Sequence, residues 1–92
     1  MAAAIGFASI VAATVASAEP PAGAASCTGC HPASARVTSP VPRLGGLDRA
    51  AIVKAMQDFR SGLRTGTVMD RIVKGFTDDE IQAIAAWYAT QR

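Results

Sequence analysis

The sequence predicts a small all-α protein, and three observations carry that reading. Thr77-Asp78-Asp79-Glu80 is a complete capping box, and apolar residues follow it at helical spacing. A second helical stripe begins after Leu47-Asp48. The stretch between Pro32 and Gly46, which holds Pro32, Pro40, Pro42, Gly45 and Gly46, keeps no period of either kind and reads as a loop.

Taken in order, Pro20-Pro21 blocks an early helix, so at most a short helix from about Ala22 leads into Cys27. After the loop, Asp48 is expected to be an N-cap, with Leu47 stapled against Ile52. Ile52, Met56, Phe59 and Leu63 then form one apolar stripe, and Gly62 ends the helix as a left-handed C-cap. Arg64-Thr65-Gly66-Thr67 is a turn leading to Val68-Met69. Asp70 to Lys74 forms a single helical turn, capped by Asp70 and stopped by Gly75. The final helix starts at the capping box, with Phe76 placed to staple against Ile81, and its acidic first turn suits the positive end of the helix dipole. It runs to about Thr90, with Ile81, Ile84, Ala85 and Tyr88 on one face and Trp87 beside it.

Ala2 to Ala18 is Ala-rich, apolar and uncharged, and it ends in Ala16-Ser17-Ala18 before Glu19-Pro20-Pro21. Residues 1–18 therefore read as a cleaved secretory signal, leaving residues 19–92 as one domain. No Lys or Arg precedes the apolar run, which departs from the usual pattern. The run is shorter and poorer in Leu, Ile and Phe than a spanning helix of ~20 residues. The remaining domain is too small to rest on its own apolar core, and domains below about 70–80 residues commonly rely on a metal, cofactor or disulfide. The 50% hydrophobic content is inflated by the amino-terminal segment. A net charge of +2, with no basic run or interleaved aromatics, gives no sign of nucleic-acid binding.

The chemistry is concentrated in Cys27-Thr28-Gly29-Cys30-His31. Cys-x-x-Cys-His is the attachment signature of c-type haem. Two thiols at that spacing reach the two vinyl groups on one porphyrin edge, and His31 is then held where an imidazole nitrogen meets the iron. The competing readings are weaker. A thioredoxin-like dithiol needs a strand before the motif, which is missing here. A structural zinc needs four ligands, yet the chain has only 2 Cys and 1 His. A disulfide across so short a loop stabilises little. Attachment of haem takes place outside the bacterial cytoplasm, so the motif and the amino-terminal segment point to the periplasm alike.

With one His in the chain, either a Met fills the second axial position or that position is open for a small ligand. Met1 leaves with the signal, and Met56 lies in a helical apolar stripe where methionine ordinarily fills core. Met69 follows a Gly-containing turn that can bend its thioether over the ring. A histidine–methionine pair raises the potential and leaves no iron position for substrate. The other ring nitrogen of His31 needs an acceptor, and the carbonyl of Pro42 is expected to supply it.

Cys27 to His31, then Pro42-Arg43-Leu44-Gly45-Gly46, Val68-Met69-Asp70-Arg71-Ile72 and the capped helix ending Ala86-Trp87-Tyr88 resemble, in order and spacing, the small class I monohaem cytochromes c. The resemblance spans the whole of residues 19–92. It implies three to four short helices wrapped around one covalent haem, with Pro42 accepting the histidine hydrogen bond, Leu44 packed on the ring and Met69 axial. It also implies that the terminal helix crosses the first helix, with Trp87 at the crossing, although Pro20-Pro21 makes that first helix unusually short. Gln57 to Gly62 and Thr67 to Phe76 look most like the cytochrome subunit of flavocytochrome c sulfide dehydrogenase, in which an FAD flavoprotein passes electrons from sulfide to the haem. Free electron shuttles and cytochrome subunits of flavin-dependent phenol hydroxylases share similar stretches.

Three functions stay open on these residues. They are an electron-accepting subunit of a flavoprotein, which would not be an enzyme by itself, a free periplasmic shuttle, and an open-site haem that binds a small ligand. Arg43, Arg60, Arg64, Arg71 and Lys74 are placed either to ring the haem edge or to serve as ordinary solvated charge, since Asp48, Asp58 and Asp70 are interspersed.

Overall fold

The computed structural model describes residues 3–9 and 19–91. Most of the expected signal segment, including its cleavage site, lies outside the described residues, and residues 3–9 hold no regular secondary structure. Among the described residues there is no strand. The elements are α1 (Ala24–Cys27), α2 (Arg49–Ser61), α3 (Met69–Ile72) continued by a 3-10 turn (Val73–Gly75), and α4 (Asp78–Ala89).

The local signals set most of these boundaries. Thr77 Oγ1 accepts from the Glu80 amide at 3.2 Å, and Glu80 Oε1 accepts from the Thr77 amide at 2.9 Å, so two otherwise orphaned donors satisfy one another's residues at the start of α4. Gly62 ends α2 at φ 84°, a conformation that costs glycine nothing. Four expectations are corrected. Asp48 occupies the N-cap position of α2, but its side chain makes no capping bond, and Leu47 before it is exposed. Leu63 falls beyond Gly62, outside the helix, and is 83% exposed, so the stripe ends at Phe59 and the buried Val53 joins it instead. Val68, not Asp70, is the N-cap of α3, because helical backbone already begins at Met69. Asp70 Oδ1 accepts from the neighbouring Arg71 amide at 3.1 Å. The last helix closes at Ala89, with Thr90 as its C-cap.

The core is Ala24, Ile52, Val53, Val73, Ile81, Ile84, Ala85 and Tyr88, drawn from α1, α2, the 3-10 turn and α4, while α3 buries none of its residues. Packing of α2 on α4 supplies its centre, and α3 with its 3-10 turn leans on α2. Arg49 Nη2 donates to Gln82 Oε1 at 3.0 Å across the α2–α4 seam. At the other end, Arg60 of α2 reaches the start of α4, pairing with the Asp78 carboxylate and donating through Nη2 to the Phe76 carbonyl at 2.5 Å. A core of this size is small for a stable domain, and it leaves apolar neighbours such as Leu44, Met56 and Phe59 only half-buried on its edge.

Candidate haem site

The Cys27 to His31 segment continues the roll of α1 as a chain of turns. The amides of Thr28, Gly29 and Cys30 donate to Ala25, Ser26 and Cys27 at 3.3, 3.2 and 3.2 Å, and His31 donates to the Cys27 carbonyl at 2.8 Å. Cys27, Cys30 and His31 are therefore carried on consecutive turns by local backbone bonding. Both cysteines are free, with Cys27 half-buried and Cys30 exposed. Burial pushes the Cys27 thiol up in pKa, the opposite of what an attacking dithiol of the thioredoxin kind requires.

The Pro-rich loop brings Pro42 to His31, with Nδ1 2.6 Å from the Pro42 carbonyl oxygen. A carbonyl only accepts, so Nδ1 carries the proton and Nε2 keeps the lone pair that a metal would take. Leu44, two residues on, packs half-buried against the core, as does Cys27. On the other side of the sequence, Met69 is half-buried at the first position of α3. A β-carbon at Gly66 would lie 2.9 Å from Phe59 Cε1 and 3.3 Å from Met69 Cβ, so the absence of a side chain there lets the turn close on both. Met56 rests against the core, as its place in the stripe implies.

Two of the five cations proposed for the haem edge have partners within the chain. Arg60 ties α2 to α4, and the Arg64 guanidinium lies 4.8 Å from the centre of the Phe59 ring.

Tyr88 makes a contact between α1 and α4, beside Trp87, which packs on the same core cluster. Tyr88 is buried and donates through its hydroxyl to the Ala24 carbonyl at 2.5 Å. Trp87 is half-buried and meets the Tyr88 ring edge-on, with centroids 4.8 Å apart at 82°. Burial, and next the neighbouring Cys27, push the Tyr88 phenol up to about 12. The signal for this contact was in the sequence: a tyrosine on an apolar helix face has to find a partner for its hydroxyl. The identity of that partner was not.

No family model matches the chain. The cytochrome subunit of sulfide dehydrogenase from Chlorobaculum tepidum is 41% identical over 63 residues, 68% of this chain. The chain belongs to the class I cytochromes c. A thiosulfate dehydrogenase electron acceptor from Stutzerimonas stutzeri is 39% identical over 65 residues, and cytochrome c4 from Pseudomonas aeruginosa is 33% identical over 70 residues. This cytochrome spans 57%, 30% and 35% of the length of those three relatives.

Family membership makes covalent haem c the cofactor of this cytochrome. The residues present fit that group. Two unpaired thiols and an imidazole with a free Nε2 stand on successive turns. Half-buried Leu44, Met56 and Phe59, together with Val68 at 52% and Ile72 at 39% exposure, leave apolar surface that a porphyrin face would cover. When bound, haem supplies one-electron chemistry at that iron.

Proposed function

We propose that the haem of this chain is attached through Cys27 and Cys30, ligated by His31 on one face and Met69 on the other, and reduced by an FAD-containing flavoprotein subunit in a complex of the sulfide dehydrogenase type. The observation that carries the reading is the bond between His31 Nδ1 and the Pro42 carbonyl, which fixes the tautomer and leaves Nε2 as the basic nitrogen. Met69 enters because its turn, closed over Gly66, holds it beside Phe59 at the head of α3, whereas Met56 is spent on the core. With nitrogen and sulfur on the iron, substrate has no position there, and the bond chemistry belongs to the partner. Pro42 and Leu44 serve the histidine side, the first as acceptor and the second as packing against the ring.

The partner is argued from the relatives' names: one is a cytochrome subunit of sulfide dehydrogenase and another a thiosulfate dehydrogenase electron acceptor. Residues 1–18 and the site of haem attachment support export to the periplasm. No helix among the described residues is long and apolar enough to cross a membrane.

The test is purification of the chain from its native source with flavin followed alongside haem. FAD co-eluting with the haem at low salt supports the subunit reading, and its absence at every salt concentration favours a free shuttle. Carbon monoxide added to the reduced protein reads the ligand set. Refusal of the gas supports Met69, and ready binding returns the open-site reading.

A further inference from the structure

Met69 opens α3, a helix of 4 residues that buries none of them, so its own element does not fix it in the core. A single turn does not hold itself either, because nucleating a helix fixes several residues for one hydrogen bond. The hold on the preceding loop comes from α2. The Arg64 amide donates to the Asp58 carbonyl at 3.1 Å, and the Arg64 guanidinium folds back over the Phe59 ring, 4.8 Å from its centre. Gly66 then passes the edge of that ring, where a β-carbon would stand 2.9 Å from Phe59 Cε1 and 3.3 Å from Met69 Cβ. Phe59 belongs to the 13-residue α2 and packs against the core cluster, which makes it the fixed member of this group.

We infer that Arg64 is a positioning residue for Met69, its guanidinium latching residues 62–69 onto the Phe59 ring. The inference rests on Met69 being the second axial ligand. Arg64 is held at both ends, by its amide on Asp58 and by its side chain on Phe59, and Gly66 is pressed between that ring and Met69. Slack released at Arg64 therefore passes along the loop to the head of α3, where no buried side chain stops it. The thioether is the group that moves, since Phe59 stays packed on α2. Opening of this loop is a local event that comes before the melting of α2 and α4.

The experiment compares the haem-loaded full chain with Arg64→Gln, with Arg64→Lys, which keeps a cation for the ring, and with Phe59→Leu alone and combined with Arg64→Gln. Arg71→Gln is the control that removes the same charge two residues from Met69 without touching the Phe59 contact. The sulfur-to-iron charge-transfer band of the oxidised protein is followed against temperature, far-ultraviolet circular dichroism reads the helices, and carbon monoxide uptake is timed in the reduced protein. Arg64→Gln is expected to lose the band at a lower temperature than the parent while its helices persist, and to take up carbon monoxide several-fold faster. Arg64→Lys should recover most of the difference. Adding Arg64→Gln to Phe59→Leu should change nothing further, because both act through one contact. An Arg64→Gln protein that matches the parent overturns the inference, as does Arg71→Gln reproducing its effect, or full additivity in the double variant. A parent that shows no such band and takes up carbon monoxide freely overturns instead the Met69 ligation on which the inference rests.

Discussion

The Tyr88 hydroxyl and the Ala24 carbonyl, 64 positions apart in sequence, are joined by a 2.5 Å hydrogen bond that ties the last helix to the turn carrying the haem motif. Beside it, Gly23 adopts φ 86° directly beneath the Phe76 ring. The one-turn helix is thus clamped from two elements, and the clamp can be tested piece by piece.

Gly23→Ala places a methyl 2.5 Å from Phe76 Cε1 and forces a left-handed backbone on an ordinary residue. The backbone alone costs about 1–2 kcal/mol, and the overlap adds a similar amount. The urea midpoint should fall by the corresponding amount at unchanged slope.

Met69→Ala in the loaded protein should open the iron, so that the reduced form binds carbon monoxide and the potential falls. Met56→Leu, which keeps the volume of a half-buried core neighbour, should cost less than about 1.5 kcal/mol and leave carbon monoxide excluded. The reverse pattern would make Met56 the ligand.

Thr77→Ala removes the hydroxyl that receives the Glu80 amide and should cost about 1 kcal/mol, with Thr77→Ser close to neutral. Thermal unfolding of the three proteins measures the difference.

Glu80 gives the same box a pH signature. Its hydrogen bonds from Thr77, the backbone one foremost, hold the carboxyl below its ordinary range. An acid held down in the fold contributes stability that is fully present above its unfolded value, near 4.5, and is lost as the pH falls through the lower folded value. The stability of Glu80→Gln should therefore lie below the parent at neutral pH and converge on it in acid.

Arg60 bridges two groups of different exposure, and its substitutions should separate them. Asp78 is largely solvent-exposed, so Asp78→Asn should cost no more than about 1 kcal/mol and less at high salt. Arg60→Ala also strips the donor from the Phe76 carbonyl, and its cost should exceed that of Asp78→Asn by about 1 kcal/mol at any salt. Denaturant melts at low and high ionic strength check both.

Much of this was legible before any coordinates, because its causes are local. The Thr77 box, the Gly62 stop and the turns through Cys27, Cys30 and His31 each involve residues within about four positions, where spacing fixes geometry. The same logic overreached at Asp48 and Asp70. Both have side chains able to cap, but Asp48 at the N-cap makes no side-chain bond, and Asp70 lies inside a helix already begun at Met69, where its carboxylate takes only the neighbouring Arg71 amide. Leu63 misled because its spacing continued the stripe past a glycine that had already ended the helix.

The sequence by itself determined a helical chain built to be sewn to one haem, since two thiols and an imidazole at that spacing have one chemistry that uses all three. The tertiary structure decided which distant groups meet: the Pro42 carbonyl on His31 Nδ1, the Tyr88 hydroxyl on the Ala24 carbonyl of α1, and Arg60 across the start of α4. These are contacts between elements, and the relative angle of two packed helices depends on every side chain in the seam at once, which no local spacing encodes.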